Sequence, residues 1–274
     1  MARGFPKGRR GVAVAINMAE WLYGRHAVLE ALRAGRREVR RVYVAPGVRK
    51  TAGVDEIVAA AQARRCPVEA ASPGMLQQAG PANHQGILAE AAGYPYVALG
   101  DVLPPAAAGE ALYLVLDHLQ DVQNLATLLR TAEAMAVAGV LLPDRRSAQV
   151  TPAVVNASAG AVEHLRIALV GNLVAGLEAL KQAGVWIVGL DLRPGSVTLD
   201  QADLSGPLAL VVGSEGSGLS RLVRQHCDWL LTIPMYGRVG SLNAAVAGSV
   251  ALVTARRARS AGSPSRAGAI LPPI

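Results

Sequence analysis

The sequence predicts an α/β protein in which a parallel β-sheet covered by helices follows a smaller α/β domain. Short apolar runs recur in the second half of the chain, at residues 112–116, 140–142, 186–190 and 208–212. Stretches with a helical spacing of apolar residues separate them, at 125–138 and 173–183. Strands buried on both faces have such continuous apolar runs, and their alternation with helices is typical of a parallel sheet.

The first half of the chain predicts a smaller α/β unit. After a turn at Tyr23 and Gly24, Val28, Leu29 and Leu32 have helical spacing. The other predicted elements are a helix at 54–65 and strands at 41–44, 66–69 and 85–89. The predicted boundaries are a flexible basic extension at 1–17, a small domain at 18–93, a linker at 94–110, a larger domain at 111–257 and a flexible tail at 258–274.

The charge balance favours a polyanionic partner. Lys and Arg number 27 against 20 acidic residues, which gives a formal net charge of +7. Nucleic acid is the first candidate for such a partner. Much of the excess lies near the two termini, so solubilising basic tails are the alternative explanation.

The cysteines, the apolar segments and the histidines indicate where the protein is expected to be found and whether it binds a metal. The two cysteines, Cys66 and Cys227, lie far apart without a zinc-ligand pattern, which argues against a disulfide framework. The apolar segment 11–16 is too short to span a bilayer. The five histidines show no metal-ligand spacing. We therefore expect a cytoplasmic protein without a membrane partner or a bound metal.

The first of three polar segments lies at the start of the larger domain. The apolar strand at 114–117 is followed by a polar turn, and Asn124 stands at a predicted helix N-cap. Arg130 lies off the apolar stripe of that helix. Taken alone, helix capping explains Asn124 and a solvated side chain explains Arg130.

The second segment, 208–219, is a predicted buried strand that runs into a glycine-rich turn with one acid, Glu215. Glycines there let a ligand approach the backbone closely, although a tight structural turn is the alternative. The turn lacks the Lys-Ser/Thr pair of a phosphate-binding loop and the third glycine of a dinucleotide fingerprint. A nucleotide-dependent oxidoreductase is therefore disfavoured.

The third segment, 233–246, passes from a strand through a glycine-punctuated loop into the last predicted helix. Ser241 and Asn243 flank the start of this helix, where capping is again the simple explanation. One face of the helix is apolar and is predicted to pack, with the residues Leu242, Val246, Val250 and Val253.

Together the three segments resemble one protein family. Asn124 with Arg130, the turn at 213–219 and the segment 233–246 are similar in order and spacing to the three motifs of the SpoU branch of the SPOUT methyltransferases. Ala126 departs from the family pattern, which usually has glycine at that position. The combination of all three motifs is specific, whereas the first motif alone is weak.

The resemblance extends into the first domain. Residues 23–32 and 84–87 are similar to the ends of a ribosomal-protein-L30e-like substrate-binding domain, so the likeness covers about residues 19–257. It implies a catalytic domain with a trefoil knot, an exception to the rule against threaded chains. It also implies a homodimer with composite active sites.

The activity implied by the resemblance is S-adenosylmethionine-dependent 2′-O-methylation of a ribose in structured RNA. The two-domain form is most similar to the bacterial enzymes that methylate a guanosine of 23S ribosomal RNA. Methylation of a tRNA ribose is the alternative, because one chain does not display the loop shape that specifies an RNA target. A noncatalytic RNA-binding protein is the alternative from a different class.

The resemblance also implies roles for individual residues. The reacting surface would comprise Asn124, Arg130, Glu215, Ser241 and Asn243. The cofactor-binding residues would be Gly213, Gly216, Ile233, Met235, Gly237 and Leu242. In the first domain, Arg25 and His26 would contact RNA.

Two of these roles have alternatives. Arg130 would act either as a base or electrostatically, and we prefer the second because guanidinium stays protonated in proteins. Glu215 would either touch the substrate or order the glycine turn by accepting backbone hydrogen bonds.

Overall fold

Two β-sheets organise the part of the chain that the computed structural model describes, residues 19–49, 51–78, 84–103 and 111–261. The first sheet is formed by strands between residues 20 and 91, and the second by strands between residues 112 and 232. The predicted extension at 1–17 and residues 262–274 of the predicted tail lie outside the described residues.

The first sheet has four strands in the order β1-β4-β2-β3. These strands are β1 (Glu20–Tyr23), β2 (Val39–Val44), β3 (Val68–Ala70) and β4 (Ile87–Ala91). The helices of this domain are α1 (Arg25–Ala34), α2 (Ala52–Ala63) and α3 (Pro73–Gln78). The sequence pattern does not predict β1 or α3, because neither is long enough to display a period.

The second sheet has seven strands in the order β7-β6-β5-β10-β8-β11-β9. These strands are β5 (Leu112–Asp117), β6 (Gly139–Pro143), β7 (Ile167–Val170), β8 (Trp186–Leu190), β9 (Val197–Thr198), β10 (Leu208–Gly213) and β11 (Trp229–Thr232). All neighbouring strands are parallel, as predicted. Their carboxyl ends therefore meet at one edge of the sheet.

Helices cover both faces of the second sheet. They are α4 (Leu99–Val102), α5 (Val122–Ala134), α6 (Pro152–Ala157), α7 (Leu173–Gln182), α8 (Arg221–Gln225) and α9 (Ala244–Ala261), with a 3-10 turn at Ala161–His164. Alternate residues of β5 belong to two separate apolar clusters: Leu114 and Leu116 to one, Tyr113 and Val115 to the other. Burial on both faces explains why this strand is a continuous apolar run.

The segment predicted as a linker carries structure of its own. The Tyr94 side chain is buried, and its hydroxyl donates to the backbone oxygen of Leu165 at 2.7 Å. Val97 forms a parallel bridge with Ala168 of β7, and α4 follows directly. These elements are short, so the sequence shows no periodicity there, and residues 94–103 pack on the second domain.

Buried charges connect the two domains. The Arg37 Nε donates to Glu163 Oε2 at 3.0 Å, and its Nη2 contacts the other oxygen of the same carboxylate. The Arg37 and Glu163 side chains are each 1% exposed. The Arg37 Nη1 also binds Glu20 Oε2 at 2.9 Å. Nearby, Asn156 Nδ2 of α6 donates to the backbone oxygen of Tyr23 at 2.9 Å. The second domain therefore contacts the end of β1 at Tyr23 directly and its start at Glu20 through Arg37.

Helix α9 packs closely on the sheet along one face and is exposed along another. A Cβ added to Gly248 would lie 2.5 Å from Leu128 Cδ2, so a larger residue there would require the Leu128 side chain to shift. The predicted apolar face is not packed within one chain, because Leu242, Val246, Val250 and Val253 are between 38% and 47% exposed. Leu242 also precedes the helix, which begins at Ala244.

Candidate active site

The three polar segments meet at the carboxyl edge of the second sheet. Strand β5 ends at Asp117, β10 ends at Gly213 and β11 ends at Thr232. The chain that follows these strands carries Asn124 in the first turn of α5, Glu215 in the glycine-rich turn, and the segment before α9. This edge is where open parallel sheets bind ligands.

Asn124 is not the N-cap of its helix, and the prediction that it stands there is wrong. Asp121 caps α5, because its Oδ1 accepts a hydrogen bond from the backbone nitrogen of Asn124 at 2.7 Å. Asn124 is therefore the third residue of the helix, with its side chain free to contact other elements. An acid three positions before Asn124 is the sequence signal that identifies the cap.

Asn124, Glu215 and Asn243 form a polar cluster. Asn124 Nδ2 donates to Glu215 Oε1 at 2.6 Å, and Asn243 Nδ2 donates to the same oxygen at 2.5 Å. Asn243 Nδ2 also lies 3.0 Å from Asn124 Oδ1. Asn243 Oδ1 accepts from the backbone nitrogens of Ala245 and Val246, so the residue both caps α9 and binds the other two side chains.

The glycine-rich turn after β10 depends on two positions. A Cβ on Gly213 would lie 2.2 Å from the backbone carbon of Gly218, so the turn can close only with glycine there. Gly216 has a φ of 80°, in the left-handed region that favours glycine. The buried Asp117 accepts a hydrogen bond from the backbone nitrogen of Ser220 at 2.6 Å, which fixes the end of the turn against β5.

A cavity of about 700 Å³ opens beside this turn. Its walls come from the loop after β8, the glycine turn, the end of β11 and the start of α9. The predicted site residues among its lining are Gly213, Glu215, Gly216, Ile233, Met235, Ser241, Leu242 and Asn243. Gly237 and Asn124 are not part of the lining, although Asn124 reaches it through Glu215 and Asn243.

Arg130 is not brought to this cluster within one chain. It is an exposed residue of α5 six positions after Asn124, which corresponds to a rise of about 9 Å and a rotation of about 240° along an α-helix. Its side chain forms no hydrogen bond or ion pair with any residue that the structure describes. The two residues therefore point to different sides of α5.

Arg224 joins two walls of the cavity, a role that the sequence does not reveal. Its Nε donates to Asp191 Oδ2 at 2.5 Å, and its Nη2 donates to the backbone oxygen of Leu219 at 2.6 Å. Asp191 belongs to the loop after β8, and Leu219 ends the glycine turn. No motif flags this pair, because the two residues are 33 positions apart and meet only in the folded chain.

The predicted RNA contacts lie at the start of α1. Arg25 and His26 border a cavity of about 370 Å³ together with Thr51 and Glu30. Arg25 Nη1 lies 3.4 Å from Thr51 Oγ1, whereas the buried Arg25 Nε has no hydrogen-bond partner among the described residues. His26 is exposed.

Among the described residues, the side chains do not support metal-dependent or thiol chemistry. No group of three or more His, Cys, Asp or Glu within them is arranged to hold a metal ion. Burial raises the pKa of Cys227 to about 12, which keeps this thiol protonated and unreactive. No helix in the described ranges is long and apolar enough to cross a membrane.

The fold and the site together define a class: a two-domain α/β protein with a ligand cavity at the carboxyl edge of a parallel sheet and an amide-carboxylate cluster beside it. Comparison with known proteins agrees with this class. The SpoU rRNA methylase family model matches residues 111–253, and a model for RNA 2′-O ribose methyltransferase substrate binding matches residues 21–97. The two matches correspond to the two sheets.

Individual relatives are similar over most of the chain. An uncharacterized tRNA/rRNA methyltransferase of Synechocystis is 41% identical over 87% of this chain, which spans 62% of that protein. A TrmH family tRNA/rRNA methyltransferase of Bacillus subtilis is 36% identical, over 88% of this chain and 96% of that protein. The crystal structure of an AdoMet-bound rRNA methyltransferase from Sinorhizobium meliloti has a TM-score of 0.72 at 27% identity, over 87% of both chains. The chain belongs to the SpoU/TrmH family of RNA methyltransferases.

Proposed function

We propose that the protein methylates the 2′-hydroxyl of a ribose in RNA, in the cytoplasm, and that its substrate is a guanosine of 23S ribosomal RNA. The cluster of Asn124, Glu215 and Asn243 carries the proposal, because its last two members also line the cavity. The cluster thereby joins a small-ligand site to groups that can orient a hydroxyl-bearing substrate.

S-adenosylmethionine is the methyl donor, and the cavity fits it in size and lining. Small-molecule sites usually enclose about 300 to 1,000 Å³, and this cavity has about 700 Å³. Backbone groups of Gly213, Ile233 and Leu242 would hold the adenosine portion, beside Met235 and Gly216. When bound, the donor supplies a methyl group activated on a sulfonium. A role for Gly237 and the trefoil knot stay predictions of the family resemblance.

Arg224→Gln is expected to weaken S-adenosylmethionine binding about tenfold, because a hydrogen-bonded charge that joins the two cavity walls is lost. Isothermal titration calorimetry measures this effect as a change in Kd. Arg221→Gln, an exposed position on the same short helix, is the matched control and should leave Kd unchanged. Wild-type affinity in Arg224→Gln would show that the walls do not depend on this contact.

The transfer of a methyl group to a ribose hydroxyl is an in-line displacement that requires alignment of the hydroxyl and removal of its weakly acidic proton, for which water is the proposed acceptor. Because guanidinium groups are poor bases, we assign Arg130 an electrostatic role toward the adjacent phosphate or the developing alkoxide. Asn124 and Asn243 orient the sugar. Glu215 holds both amides through a single oxygen and is a positioning residue.

Glu215→Ala separates positioning from ordering of the glycine turn. With the carboxylate removed, the two amides lose their common acceptor, and kcat is expected to fall about 100-fold. The Kd for S-adenosylmethionine should change less than about threefold, since the side chain bonds to amides rather than to turn nitrogens. Calorimetry and single-turnover kinetics measure the two effects. A large loss of cofactor affinity with normal kcat would assign Glu215 to the turn instead.

A homodimer with composite sites is part of the proposal. The exposed apolar face of α9 continues into Leu242, which lines the cavity. A second copy seated on this face would cover it, and such isologous contacts are the commonest in soluble oligomers. Because Arg130 points away from the polar cluster of its own chain, the partner subunit's Arg130 is the one proposed to complete each site.

The choice of 23S ribosomal RNA rests on the two-domain form, which the rRNA methyltransferase of Sinorhizobium meliloti shares over 87% of both chains. Mapping 2′-O-methyl groups in RNA from cells with and without the protein tests it. A methyl group lost from one guanosine of 23S ribosomal RNA is expected. Loss from tRNA with ribosomal RNA unchanged would assign a tRNA ribose instead.

A noncatalytic RNA-binding protein is the competing function. Its test is calorimetry with S-adenosylmethionine and, as a comparison ligand, a nicotinamide cofactor. We expect the protein to bind S-adenosylmethionine and not the nicotinamide cofactor. Absence of such binding would contradict the methyltransferase and favour the competing function.

A further inference from the structure

The loop between β6 and α6, residues 144–151, carries two adjacent exposed arginines, Arg145 and Arg146. Neither forms a hydrogen bond or an ion pair with any residue in the described ranges. Each guanidinium therefore has five donors available to an acceptor from outside the chain.

The loop that carries them is well anchored. The Ala148 nitrogen and the Ser147 hydroxyl both donate to the backbone oxygen of Leu119, at 2.7 and 3.0 Å. The Gln149 Nε2 donates to the backbone oxygen of Pro143 at 3.0 Å. Because the backbone on their C-terminal side is fixed in this way, the arginines are held near one position on the surface.

The loop at 144–151 is connected by hydrogen bonds to the segment before the polar cluster and, through α6, to the first domain. Leu119 belongs to the segment that leads from β5 to Asn124, so one side of the loop contacts the approach to the polar cluster. On the other side the chain continues into α6, whose Asn156 binds the backbone of Tyr23, two residues before Arg25. The arginines thus lie on a path of contacts from the start of α1, where Arg25 and His26 are predicted to contact RNA, to the carboxyl edge of the second sheet.

We propose that Arg145 and Arg146 bind backbone phosphates of the RNA between the nucleotides held by the first domain and the target ribose. Arginine suits this role because its planar fork binds phosphate oxygens in pairs. Such contacts position the RNA without reading its sequence. This assignment rests on the proposed function, since the path matters only if RNA reaches the polar cluster.

The double variant Arg145→Gln/Arg146→Gln tests the proposal, with an unmodified 23S ribosomal RNA transcript as the probe. The KM for RNA should rise about tenfold. The slope of the logarithm of the RNA association constant against the logarithm of the salt concentration should become shallower by about 1.4 to 1.8, which is 0.7 to 0.9 for each lost contact. The kcat at saturating RNA and the Kd for S-adenosylmethionine should not change, because neither residue lies in the cavity.

Arg65→Gln is the matched control. Like Arg146, Arg65 is exposed with a φ of 55°, and it forms no hydrogen bond or ion pair within the part of the chain that the structure describes. It lies at the opposite end of α1 from Arg25, since the neighbouring Arg64 binds the backbone oxygen of Arg33 in the last turn. RNA affinity and the salt slope should stay at wild-type values in this variant, and Arg145→Lys/Arg146→Lys should retain most of both.

An unchanged salt slope and KM in the double Gln variant would overturn the proposal, as would a loss confined to kcat. The salt titration is repeated with unfractionated tRNA, because phosphate contacts do not depend on sequence. Wild-type protein that binds RNA but transfers no methyl group would contradict the proposed function, while the slope difference would still support the loop. Wild-type protein that binds neither RNA would overturn both.

Discussion

Arg130→Ala is expected to lower kcat by roughly 100- to 1,000-fold, the usual cost of removing a group that stabilises transition-state charge. RNA binding should survive largely intact. When the variant is paired with Glu215→Ala in a heterodimer, activity should return to about half of the wild-type value per dimer, because one of the two composite sites then has both residues intact. Two different affinity tags allow the heterodimer to be isolated, and methyl transfer from labelled S-adenosylmethionine measures the activity.

The controls are the two homodimeric variants, which should both stay nearly inactive. A heterodimer no more active than these would place Arg130 and Glu215 in the same chain's site and contradict the composite arrangement. Arg130→Lys should retain some turnover if charge suffices, and little if the fork geometry of guanidinium is needed. RNA binding and normal turnover in Arg130→Ala would end the electrostatic assignment.

Glu163→Ala is expected to destabilise the protein by about 3 kcal/mol, because it leaves the buried Arg37 guanidinium without its main partner. Thermal unfolding should record this as a fall in Tm of roughly 6 to 12 °C. The free energy of unfolding from urea titration gives an independent value.

Glu56→Gln is the matched control, since Glu56 forms an ion pair with Arg33 in which both side chains are at least half exposed. Its cost should be below about 1 kcal/mol. In the double variant Arg37→Met/Glu163→Met, apolar groups replace the charges, and much of the lost stability should return. Equal effects of Glu163→Ala and Glu56→Gln would contradict an energetic role for the buried pair.

The sequence predicts the second sheet well because burial on both faces makes its strands continuous apolar runs. Strands such as 186–190 agree with the observed β8 residue for residue. Elements too short to show a periodic pattern of apolar residues, such as β1, α3 and α4, are not predicted. The N-cap assignment of Asn124 is wrong for a different reason: the helix begins earlier, because Asp121 caps it by accepting a hydrogen bond from the backbone nitrogen of Asn124 itself.

For the candidate site, the local sequence predicts which residues belong to the site better than it predicts what each of them does. Glu215 and Asn243 stand in recognisable loops, but only the folded chain shows that Glu215 Oε1 accepts from both amides. The hydrogen bonds by which Arg224 joins two cavity walls, and those that anchor the loop at 144–151, link residues far apart in sequence, so no local pattern encodes them. Likewise, the apolar face of α9 is evident in the sequence, whereas its exposure in one chain is not.

The buried contact between Arg37 and Glu163 also bears on the spacing of the two domains. Separating or tilting the domains would expose an ion pair that is almost inaccessible to water. The contact therefore opposes changes in the spacing between the start of α1 and the polar cluster. If the first domain binds RNA as proposed, we expect the protein to favour an RNA whose target ribose lies at a matching distance from the part that this domain contacts.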